Sequence, residues 1–138
     1  MYHPEAGTHR VEAIFQNTAN RLIISRLAAV EIESAFSKKI RAGVISADER
    51  RRISAKFYLD FVSRLKVVAM DDIHFALASK LILSYGAEKG LRTLDALQLA
   101  VASELRRAGL IDFLVSADSA LANVAYAEEI PTINPMTV

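Results

Sequence analysis

The chain has 138 residues, which is enough for one ordinary domain with a core of its own and too short for two independent ones. Hydrophobic residues make up 52% and charged residues 24%, with 5 Gly and 3 Pro, a balance that excludes a disordered or low-complexity chain. The absence of cysteine excludes disulfides, thiolate zinc sites and cysteine nucleophiles, and a net charge of +1 neither demands nor forbids a nucleic-acid partner.

In chain order, the first residues, MYHPEAGTHR, carry no apolar signal-peptide core, and no apolar run approaches the roughly 20 residues that span a bilayer. A cytoplasmic protein without a membrane partner is expected. From Thr8, which is placed to cap it, a helix carries Val11, Ile14, Phe15 and Thr18 at helical spacing, and Arg21 to Ser25 (RLIIS) reads as a short buried strand. Ser25 then caps a helix whose apolar arc is Ala28, Ile32, Ala35, Phe36 and Ile40, with Gly43 ending it in the left-handed conformation. Ser46 starts another helix that runs to about Arg64.

A strand is expected around Val67 and Val68. Asp71 or Asp72 then caps a helix carrying Ile73, Ala76, Leu77, Lys80 and Leu81, which ends before Gly86, with Gly86 to Gly90 as a turn. Thr93 opens a helix that is apolar nearly all round, through Leu94, Ala96, Leu97, Leu99, Ala100, Val101, Ala102 and Leu105, to near Gly109. Such a helix is buried on most sides. Ile111 to Ser116 (IDFLVS) reads as a buried strand, Asp118 to Ala127 as a helix, and Ile130 to Ile133 as an edge strand bounded by Pro131 and Pro135. Strands separated by helices imply a mainly parallel sheet in a three-layer α/β/α sandwich, one domain over 1–138.

Three carboxylates qualify as chemistry, and each has a plainer reading beside it. Asp95 lies in the first turn of the apolar helix, where the macrodipole favours a negative charge in any case, yet its own face continues through Leu99 and Ala102 into the core. Asp118 follows FLVS at the carboxyl end of a strand, where open α/β sheets place ligand sites, but Ser116 or Asp118 can equally cap the next helix. Glu31 borders the apolar arc of its helix between Leu27 and Ala35, and a lone glutamate there is by default a solvated one. Each position is near a strand end, so a parallel sheet can bring the three to one edge. Crowded carboxylates repel unless a divalent cation holds them, and an all-oxygen site suits Mg²⁺ or Mn²⁺. Zinc is disfavoured, because His3, His9 and His74 lack paired-ligand spacing.

The stretch GLRTLDALQLAVASELRRAG, followed by DFLVSADSALANVA and IPTINP, resembles the C-terminal half of the PIN-domain family, above all its VapC-like toxins. PEAGTHRV and IISRLAAVEIESAFSKKIRAG are similar to that family's first helical region and its glutamate-bearing helix. The resemblance implies a PIN-like α/β fold and a metal-dependent endoribonuclease of the toxin–antitoxin type. It implies that Glu31, Asp95 and Asp118 are catalytic metal ligands for Mg²⁺ or Mn²⁺, with Ser116 a supporting hydroxyl. The partners it implies are RNA, a small antitoxin protein and a second copy of the chain in a homodimer. Gln98 stands where many relatives have histidine.

The family pattern also begins with a strand bearing an aspartate, ahead of the segment that is here HPEAGT, and nothing upstream of Tyr2 supplies it. Relative to the family the chain therefore reads as truncated, lacking a central strand between RLIIS and IDFLVS. Three outcomes are open: the sheet closes without that strand, another chain fills the gap, or the natural protein begins earlier. A catalytically inactive PIN-like binding or assembly module is the alternative reading, and a metal-dependent phosphatase on a similar sheet is a third. Finally, Lys38, Lys39, Arg41, Arg50, Arg51, Arg52 and Lys56 crowd the helical hairpin around Gly43, offset in part by Asp48 and Glu49. They read as a solvated face or as a guide for RNA phosphates.

Overall fold

The computed structural model describes residues 6–137, so His3 and the other residues of the opening MYHPE lie outside the described part. The chain divides into two compact units, Met1–Ala69 and Met70–Val138. The expected α/β class holds. Among the described residues the strands form two separate two-stranded sheets, one within each unit, both parallel, where the sequence reading has a single sheet.

In the first unit α1 spans Thr8–Gln16. Its cap is Gly7, not Thr8: Gly7 adopts φ +82° and its carbonyl accepts the Arg10 and Val11 N–H groups. Strand β1 (Leu22–Ser25) pairs with β2 (Leu65–Val68) in the register Leu22 to Leu65 and Ser25 to Val68. Ser25 is buried at the strand's end, and its hydroxyl accepts the Ala28 N–H at 3.1 Å, so one residue closes β1 and caps α2 (Arg26–Arg41). Lys38, Lys39 and Arg41 fill the last turn of α2, complementing its dipole, and Gly43 follows at φ +72°, as its position predicts. Ser46 caps α3 (Ala47–Ser63), accepting the Glu49 N–H at 3.1 Å. Within the α2 arc Phe36 is buried, but Ala35 is exposed. At the end of α3, Arg64 donates to the Phe15 carbonyl at 2.7 Å, with its guanidinium 5.5 Å from the Phe15 ring centre, which fastens the end of α1.

In the second unit α4 spans Asp72–Lys89, α5 Thr93–Arg107 and α6 Ser119–Ala127, with β3 (Leu114–Val115) parallel to β4 (Thr132–Ile133). Three sequence expectations need correction. Helix α4 runs through Gly86 and stops at Gly90, φ +67°. Gly86 is a packing glycine, since a Cβ there would lie 3.2 Å from Ile82 Cγ2. The inner face of α4 is His74, Ala78 and Leu81, while Ile73 and Ala76 are exposed. His74 takes the inner position because both ring nitrogens have partners: Nδ1 accepts the Asp71 N–H at 2.9 Å, and Nε2 meets the Glu104 carboxylate on α5. Lastly, the strand expected over IDFLVS shrinks to two residues, and its partner begins only after Pro131. Leu114 N–H donates to the Pro131 carbonyl at 2.8 Å and Ser116 N–H to that of Ile133 at 3.1 Å, and the proline has no N–H with which to extend the ladder.

Helix α5 is as buried as its composition predicts. Ala96, Leu97 and every residue from Leu99 to Ser103 are inside, with Leu99 and Ala100 fully so, although Leu94 is exposed. Leu81, Leu91, Leu121, Val124 and Ile130 are the other large buried members of this unit's core.

Candidate metal centre

Helix α5 cannot rotate without exposing its apolar sides, so the direction of its first-turn side chains is fixed by the core. Asp95 projects from that turn with its side chain only 18% exposed. Its Oδ2 is cut off from solvent and makes no hydrogen bond. A buried carboxylate oxygen without a donor is unfavourable by about 1–3 kcal/mol or more, so such an atom is stabilised by whatever donor or cation reaches it.

The nearest cation is Arg92, the residue at the N-cap of α5, whose Nε lies 3.6 Å from Asp95 Oδ2. The same guanidinium reaches Asp118, with Nη2 4.0 Å from Asp118 Oδ2. Arg92 is 80% exposed and both separations exceed hydrogen-bond length, so it compensates charge loosely and donates to neither oxygen.

Asp118 serves two ends at once. Its Oδ1 accepts the Leu121 N–H at 2.9 Å, capping α6, which leaves Oδ2 for a cation. The plain capping reading of Asp118 and the ligand reading therefore occupy different oxygens of one carboxylate. Ser116 sets the approach: its hydroxyl accepts the Asp118 N–H at 3.1 Å, while its own N–H is tied to β4. That pair of bonds holds the backbone that carries Asp118.

The structure thus brings Asp95, Asp118 and Ser116 into one corner of the second unit. Glu31 lies in the middle of α2, in the first unit. Among the described residues no three histidine or carboxylate side chains gather at metal-binding spacing. What Asp95 and Asp118 offer is a hard, all-oxygen pair facing one cation, which fits Mg²⁺ or Mn²⁺: Mg²⁺ is commonly held by one or two carboxylates, with waters and substrate phosphates completing the shell. His74 contributes nothing to such a site, since both its nitrogens are engaged elsewhere.

Two contacts of the second unit escape the sequence reading. The Arg92–Asp95 contact has a signal, basic and acidic residues at i and i+3 on one helix, but the reach of Arg92 to Asp118 does not. The His74–Glu104 contact spans 30 positions and leaves no local trace.

On the basic hairpin, Arg50 pairs with Glu33 at 2.6 Å and Arg51 with Asp48. No helix among the described residues is long and apolar enough to cross a membrane. A family model described as PIN domain matches residues 2–126, and no curated protein matches the chain.

Proposed function

The chain belongs to the PIN domain family, whose members are in general divalent-metal-dependent nucleases acting on RNA or DNA, and from that premise we propose that it is a metal-dependent endoribonuclease of the VapC type. The observation that carries the reading is the corner at the start of α5, where the buried, undonated Asp95 Oδ2 and the free oxygen of Asp118 face a single cation. Asp95 and Asp118 hold Mg²⁺ or Mn²⁺ through these oxygens, and Ser116 fixes the backbone of Asp118. Glu31 is proposed as a further ligand on the resemblance of its helix to the family's glutamate-bearing one. When bound, the metal supplies an activated water and charge stabilisation for attack on an RNA phosphodiester. The core behind α5 fixes the helix from which Asp95 projects, which supports a preset position for its carboxylate. A small antitoxin that blocks this corner, and a homodimeric state, complete the proposal.

A second reading is an inactive PIN-like binding module, favoured by the structural roles the two carboxylates already have: Asp118 caps α6, and both lie near the Arg92 guanidinium. RNA cleavage in Mg²⁺ or Mn²⁺ by the chain and by its Asp95→Asn, Asp118→Asn and Glu31→Gln variants decides between the two. The nuclease reading expects each Asn variant to lose at least about 100-fold in rate, beyond the 10–100-fold typical of changes to a residue that only supports a ligand. Asp118→Asn keeps the α6 cap, because asparagine caps as well as aspartate, so its melting temperature stays near that of the parent while activity falls. RNA left intact by the parent chain, with RNA binding retained in every variant, establishes the binding module instead.

A further inference from the structure

We propose that Arg92 is an internal counter-ion of this site: it occupies the position between Asp95 and Asp118 until a divalent cation displaces it, and the released guanidinium then binds a phosphate of the RNA. The inference rests on the metal-site reading above and adds to it a residue with two successive partners.

Three observations carry it. Among the described residues, Arg92 is the one side chain whose cationic group approaches both Asp95 Oδ2 and Asp118 Oδ2, at 3.6 and 4.0 Å, through different nitrogens of the same guanidinium. Neither approach is close enough for a hydrogen bond, and Asp95 Oδ2 remains undonated, so Arg92 offsets charge without satisfying the atom that a metal would bind. With 80% of its side chain in solvent, Arg92 is little held by packing and leaves at the cost of two screened contacts.

Displacement follows from charge. A divalent ion on the same two oxygens repels a guanidinium 4 Å away, and a planar, permanently charged group turned out at the rim of a metal site is suited to a phosphodiester oxygen. The position of Arg92 at the very start of α5 keeps the freed side chain beside the site, since its backbone carbonyl accepts the Ala96 N–H and stays within the helix. Asp95 and Asp118 then serve the metal, and Arg92 serves the substrate.

The two roles predict shifts of opposite sign in one variant. Mn²⁺ affinity, read by electron paramagnetic resonance or calorimetry on the full chain, is expected to tighten about three- to tenfold in Arg92→Ala, the range that loss of exposed ion pairs allows. Affinity for a short uncleavable RNA in Mn²⁺ is expected to weaken in the same variant, with the slope of log K against log salt reduced by about one unit. Arg92→Lys, which keeps the charge but not the fork, is expected between the parent and Arg92→Ala on both scales. Asp95→Asn marks the failure of the underlying reading. If the parent binds Mn²⁺ no better than Asp95→Asn, and Arg92→Ala binds no better than either, both the site and this inference fall. If the parent outbinds Asp95→Asn but matches Arg92→Ala, the metal site stands and the counter-ion role is overturned. Unchanged RNA affinity in Arg92→Ala overturns the transfer to phosphate.

Discussion

Among the described residues, Met1–Ala69 buries three apolar side chains, Phe36, Ile45 and Phe57, whereas Met70–Val138 buries thirteen, seven of them between Leu91 and Ala102. The first unit relies more on polar links: the Arg50–Glu33 and Arg51–Asp48 ion pairs, the Arg64 contacts with Phe15, and hydroxyl caps at Ser25 and Ser46. Apolar burial is cumulative and insensitive to salt, while exposed ion pairs contribute little each and are screened. The carboxylates that meet at one cation are rooted in the well-buried unit, and the basic hairpin belongs to the other.

The largest effect that tests this contrast is at Leu99, which is fully buried. Leu99→Ala should cost about 3–5 kcal/mol in denaturant unfolding, whereas Leu59→Ala on the exposed side of α3 should stay within about 0.5 kcal/mol. Amide exchange at α5 in the parent should be correspondingly slower than at α3, and equal protection of the two helices would remove the contrast.

A smaller effect is expected in the first unit. The Arg50 and Glu33 side chains are each about one-third exposed, so Glu33→Gln should cost no more than about 0.5 kcal/mol after solvent screening, and nothing measurable in about 1 M salt. A salt-independent loss would mean that the pair acts through packing.

The smallest effect is at Tyr85, whose hydroxyl donates to the Glu128 carboxylate at 2.6 Å. That bond, with some help from burial, raises the phenol's pKa above its ordinary value. With the folded value above the unfolded value of about 10, the contribution is complete below about pH 10 and disappears as pH rises through the folded value. The stability difference between the parent and Tyr85→Phe should therefore be flat through neutral pH and shrink only at strongly alkaline pH. A difference that changes near pH 7 points to another group.

Most of the helices are legible in the letters because their signals are local. Ser25 and Ser46 are caps by type and place, Gly43 is a terminator by the conformation it alone adopts easily, and the apolar girdle of α5 declares its burial. What fails is decided at a distance. Gly86 looks like a stop in sequence, but only the position of Ile82 shows that it is a contact. The face of α4 shifts inward to His74 because Glu104 awaits it on another helix. IDFLVS has the composition of a full strand, yet a ladder is as long as its partner, and Pro131 shortens the partner. The site divides in the same way. Asp118 is visible as a carboxylate just past a strand end and Asp95 as one in the first turn of an apolar helix that follows another helix, not a strand, while the guanidinium that joins them depends on the course of a long exposed side chain, which no periodicity encodes.

The division of labour within Asp118 has a consequence for how such chains diverge. One oxygen starts a helix and the other faces a cation, so exchanging the acid for its amide removes the charge and retains the helix start. A descendant that has lost the chemistry by that route inherits an intact body from its first generation. On the nuclease reading proposed above, a binding protein with the start of α6 kept is one exchange away.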